Sequence, residues 1–276
     1  MQKSPRSMLA VNPGHALFDE LAAVAAGVQP EDFVEPADLT KRISELRKVF
    51  DADCLRVAAV ADTLSGSDIS EYGAETSAIF DKWEKERGGP TLPALVSHAM
   101  RIFDLDEDAR EVKAAFMAAL IGEVPNDLRY HGNEHYRKVL FHAIRLMATH
   151  NQLFEGDARE LTAQQIAVLL TGACMHDVGH KGGDNLKEAV YTPGSMEQRA
   201  FDICRPYFEA VKMDRELMGQ VETIVFCTDI TFFAGENSPC VRMKKIYKHY
   251  YWQDDTEDVS MMMMGKLRRF EDNPQL

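Results

Sequence analysis

The chain has 276 residues, 45% hydrophobic and 27% charged, which is the balance of a globular protein and excludes a disordered one. Its 31 basic and 44 acidic residues leave a net charge of −13, so phosphate-backbone binding is disfavoured and no nucleic-acid partner is expected. An anionic small-molecule substrate would need local positive charge, most simply a metal ion, to overcome that global field.

The run Met8 to Phe18 is interrupted by Asn12, Pro13 and His15, which makes a poor secretory leader. Helical spacing begins at Phe18, Leu21, Ala22 and Ala25, continues through Ile43, Leu46, Val49 and Phe50, and returns at Leu55, Ala58 and Val60. A further helix is expected from Glu71 to Lys85, broken by Gly88-Gly89-Pro90. Beyond Arg87–Pro93 the helices become longer and more apolar: Leu95 to Phe103, Asp106 to Ile121, His131 to Asn151, Leu161 to His176, Ser195 to Val211 and Asp214 to Thr231. Period-2 alternation is scarce and hairpin signals are lacking. The fold class is therefore all-α, with residues 1–90 an N-terminal helical region packed on a helical bundle of residues 91–276. No uncharged window approaches the roughly 20 residues of a membrane span, so no membrane partner is expected. Five cysteines, at 54, 174, 204, 227 and 240, form no Cys-x-x-Cys pair and suit reduced thiols in a cytoplasm. Met261 to Met264 has the character of adaptable core filler. The oligomeric state stays open, a homodimer being one option.

Chemistry concentrates between Tyr130 and Asp229. His131 and His135 stand at i and i+4, one turn apart on a helix face that continues through Val139, Ala143 and Leu146 and is therefore expected to point into the core. The apolar face of Ile166, Leu169 and Ala173 leads to the adjacent pair His176-Asp177, and Gly179, Gly182 and Gly183 let the chain turn tightly so that His180 returns. A third apolar run, Val221 to Cys227, ends in Thr228-Asp229. Three helices thus deliver His or Asp to buried ends, where unpaired ionisable groups are costly and a metal is the economical partner. Nitrogen and oxygen donors together suit zinc, manganese, iron or cobalt, and an aspartate can bridge to a harder ion such as Mg²⁺. His98, His142 and His150 fit no such pattern and are expected to be satisfied core histidines.

The pattern His…His-Asp…Asp resembles the HD-domain superfamily of metal-dependent phosphohydrolases. Tyr-His-x-Asn-x-His at 130–135, His-Asp-Val-x-His-x-Gly-x-x-Asn at 176–185 and Thr-Asp at 228–229 resemble the signature of class I cyclic nucleotide phosphodiesterases. The resemblance implies two divalent ions: Zn, Mn or Fe held by His135, His176, Asp177 and Asp229, and Mg or Mn bridged by Asp177. It implies a catalytic group of His131, protonating the leaving oxygen, Glu197 beside the attacking water, and His180, with Thr228 behind the ligands. Tyr130, Lys181 and Asn185 fall where substrate contacts are expected. Arg199 and Ala200 stand where that family carries a pair of histidines. The activity implied is hydrolysis of a cyclic nucleotide or related phosphoester by a bridging hydroxide. Two alternatives share the pattern: a di-iron oxygenase, which needs further histidines for its second iron, and a non-enzymatic sensor or scaffold.

Overall fold

The computed structural model describes residues 72–86, 89–124, 131–182, 185–187, 190–192 and 194–229, together with Val57, Leu64 and Leu128. Among these, seven helices run in order: α1 Tyr72–Lys85, α2 Leu92–Ile102, α3 Arg110–Gly122, α4 Asn133–Leu153, α5 Ala163–Met175, α6 Ser195–Ala210 and α7 Arg215–Phe226. The all-α reading holds. One two-residue antiparallel ladder, β1 Leu186–Lys187 with β2 Val190–Tyr191, interrupts the α5–α6 connection, too short to leave a periodic signal. No described helix is long and apolar enough to cross a membrane.

The helices start where local chemistry lets them. Thr162 and Gln165 form a reciprocal capping box on α5, each side chain accepting from the other residue's backbone N–H. Asp214 caps α7 by accepting from Glu216 N at 2.8 Å. The first N–H of α2 is capped from a distance, for Leu92 N donates to Glu123 Oε2, at the C-terminus of α3, at 2.8 Å.

At the centre lie α3 and α5. Residues 114–120 of α3 are buried on every side, as an Ala-rich helix surrounded by others must be. A Cβ on Gly122 would come within 2.4 Å of the Cys174 carbonyl, and one on Gly172 within 2.6 Å of Ile224 Cγ2. Glycine at these points sets how closely α5 meets α3 and α7. The core crosses the boundary expected at 87–93. Trp83 of α1 packs edge-on against Phe141 of α4, Val57 and Leu64 are fully buried in the same cluster, and the fully buried Arg145 donates to Thr76 Oγ1 at 2.8 Å and Glu75 Oε2 at 2.5 Å. The expected helices over residues 18–50 and the Met261 to Met264 run lie outside the described residues.

Candidate metal centre

The start of α4 is held by its neighbours. Asn133 Nδ2 donates to the carbonyls of Gly122 at 2.8 Å and Val124 at 3.0 Å. Arg137 forms an ion pair with the fully buried Glu123, the same carboxylate that caps α2. Three helix ends are therefore tied together beneath His131 and His135.

The end of α5 meets this turn. His176 is the C-cap residue and its Nδ1 donates to the Ala173 carbonyl at 3.1 Å, which assigns the ring proton to Nδ1 and leaves the Nε2 lone pair to face the site. Tyr136, buried on α4, donates from its hydroxyl to the Asp177 carbonyl at 2.6 Å and fixes the turn that carries Asp177. Gly179 has φ +72°, a left-handed conformation that glycine adopts without strain, and through it the chain curls back to His180.

His135 Nε2, His176 Nε2 and Asp177 Oδ2 then stand 3.3, 3.3 and 3.5 Å apart. Metal–ligand bonds of about 2.0–2.1 Å in a tetrahedron place their donors about 3.3–3.4 Å apart. The triangle therefore fits one face of a small divalent ion's coordination shell, and its mixed nitrogen and oxygen donors suit zinc, manganese or iron. Burial pushes the His135 pKa down, as does His176 beside it, so the His135 imidazole favours its neutral, ligating form. Burial alone would raise the Asp177 pKa, but His176 and His131 outweigh it and hold the carboxyl well below its usual range.

His131 Nδ1 lies 2.7 Å from Asp177 Oδ2, and its ring stacks on His180 with centroids 3.7 Å apart and planes within 12°. His131, Asp177 and His180 form a second grouping, its ligand atoms all within 4.8 Å of one another, that shares Asp177 with the first. Gly182 N donates to His180 Nδ1 at 2.9 Å and fixes that ring in turn.

Asp229 belongs to neither grouping. Its Oδ2 accepts from Asn185 Nδ2 at 3.0 Å and from the N–H of Gly194, the left-handed N-cap of α6, at 2.7 Å. The same Asn185 Nδ2 donates to Glu197 Oε2 at 3.0 Å. Asn185 Oδ1 accepts from Ser195 Oγ at 3.0 Å and Met196 N at 2.8 Å. An amide has two donor hydrogens and two acceptor lone pairs, and all four are used within the chain. Asn185, expected among the substrate contacts, is here buried and clamps two carboxylates. Burial raises the Glu197 pKa, and Asp229 and Asp177 raise it further against the opposing Asn185 bond. Asp177, Glu197 and Asp229 thus lie close enough in one largely buried region to feel each other's charge.

Of the other expected site residues, Lys181 is exposed and Tyr130 lies outside the described residues. Thr228 Oγ1 donates to the Val225 carbonyl at 2.7 Å and closes the end of α7. His142 bonds Tyr72 and His150 bonds the Arg159 carbonyl, in keeping with structural roles. Tyr136 and Glu123 escaped the sequence reading, because an aromatic on an apolar face and an acid at a helix end carry no signal of where they dock. No protein-family model, curated protein or solved structure matches the chain.

Proposed function

We propose that the chain is a metal-dependent phosphohydrolase of the HD-domain type, acting on a cyclic nucleotide or a related small phosphoester. The triangle of His135, His176 and Asp177 donors carries this reading, because its edges match a small divalent ion. The resemblance of the motifs at 130–135 and 176–185 points the same way. A divalent ion held by these three residues supplies Lewis acidity, making water more acidic and neutralising a phosphoryl oxygen.

The chain's own residues do the rest. Asp177 grips Nδ1 of His131 while the stacked His180 fixes the ring plane, which orients the imidazole at the edge of the donor triangle. As water adds to phosphorus and the ester P–O bond breaks, His131, acting as an imidazolium whose Nδ1–H is held by Asp177, gives its other ring proton to the departing oxygen; the proton lost by the attacking water passes to solvent, which reprotonates the ring. Asn185 keeps Glu197 and Asp229 together behind Asp177, with Glu197 biased toward its protonated form.

The test is turnover of bis(p-nitrophenyl) phosphate, cyclic mononucleotides, cyclic dinucleotides and nucleotide monoesters by purified protein with Mn²⁺ or Mg²⁺. Hydrolysis that EDTA abolishes and metal restores is expected. Stoichiometrically metal-loaded protein that cleaves none of these esters would refute the proposal.

A further inference from the structure

Resting on the hydrolase reading for the identity of the anion, we propose that Arg199 is an anion fork beside the ligand loop, gripping two phosphoryl oxygens of the substrate. Three described arginines are at least partly buried: Arg137, Arg145 and Arg199. Arg137 pairs with Glu123 and Arg145 with Glu75. Arg199 makes one hydrogen bond, from Nε to the Gly179 carbonyl at 3.1 Å, and its Nη nitrogens reach solvent. A partly buried guanidinium with no acid, in a protein of net charge −13, has given up solvation without an internal counterion. Glu197 does not supply one: two residues apart on α6 the side chains diverge, and its carboxylate is bonded to Asn185.

The single bond also preorganises the group. Gly179 follows Asp177 by two residues and precedes His180, so its Cα lies at most about 7.6 Å from that of Asp177. A small phosphoester spans that distance. Anchoring through Nε leaves the paired Nη donors, the geometry that matches two oxygens of a phosphoryl group. Asp177, Glu197 and Asp229 would repel such an anion, and Arg199 answers them from the loop side.

The probe is inorganic phosphate, titrated calorimetrically into the full chain loaded with Mn²⁺, with bound metal measured in each variant. Arg199→Gln should weaken phosphate binding by about 10–100-fold, the loss of a charge-assisted pair. Arg199→Lys, which keeps the charge but not the fork, should fall between Gln and wild type. Arg205→Gln, on the same helix but paired with Asp202 at 3.6 Å, should stay within about twofold. The assignment is overturned if wild type binds no phosphate, if Arg199→Gln titrates like wild type, or if both arginine deletions weaken binding equally, which is net charge alone. Loss of metal in Arg199→Gln also overturns it, since Arg199 would then only brace the Gly179 loop. Failure of the hydrolase reading shows separately, as absent ester turnover by wild type.

Discussion

Asn185→Asp is the sharpest test of the buried clamp. The substitution keeps size and shape and leaves Oδ1 to accept from Ser195 and Met196, but replaces the donating Nδ2 by an oxygen. That oxygen would face Glu197 Oε2 and Asp229 Oδ2, each now 3.0 Å from Nδ2. Two hydrogen bonds to carboxylates are lost, each worth about 1.5–3 kcal/mol, so the expected destabilisation is about 3–6 kcal/mol. Against a total of about 5–15 kcal/mol this is a large share. The measurement is urea unfolding by circular dichroism in EDTA at pH 7.5, with the midpoint falling by about 1 M or more. Lowering the pH should narrow the gap, because a protonated carboxyl again offers a donor hydrogen. A midpoint within about 0.3 M of wild type, unchanged by acid, would show that Asn185 does not clamp these carboxylates.

Asp177→Ala should strip bound metal and abolish turnover, since it removes one corner of the donor triangle; wild-type occupancy by elemental analysis would contradict the ligand assignment. His131→Ala should keep its metal yet lose about 10²–10⁴-fold in rate on an alkyl phosphoester and much less on a p-nitrophenyl ester. If both substrates slow equally, His131 orients groups rather than donating a proton. Glu197→Gln bears on pH in the metal-free protein. Because burial raises the folded pKa of Glu197, ionisation costs stability as pH rises through that value, and below about 4.5 the group is neutral in both states. The variant should therefore be more stable than wild type near neutrality and match it in acid, and thermal melts across pH 4 to 8 check the sign. Gly122→Ala should destabilise by about 1–3 kcal/mol, because its Cβ meets a backbone carbonyl that cannot rotate away; an unchanged melting temperature would mean that α3 and α5 separate freely.

What was legible in the sequence is what depends on neighbours along the chain. Residues at i, i+3 and i+4 share a helix face wherever the helix sits, so the helices from Tyr72 to Phe226 could be read to within a few residues at most ends. The same spacing put His131 and His135 one turn apart and led the apolar face of α5 to His176-Asp177, although Leu146, expected to continue the inward face of α4, is 60% exposed. The tertiary structure decided everything that spans elements. Glu123 caps a helix 31 residues earlier, Tyr136 reaches a carbonyl 41 residues on, and Asn185 joins carboxylates 12 and 44 residues away. It also placed Asp229 with Asn185 and Gly194 rather than in the His135–His176–Asp177 triangle. A hydrogen bond forms or fails over a few tenths of an ångström. Such distances follow from how closely helices approach, which Gly122 and Gly172 regulate through contacts that no local periodicity encodes.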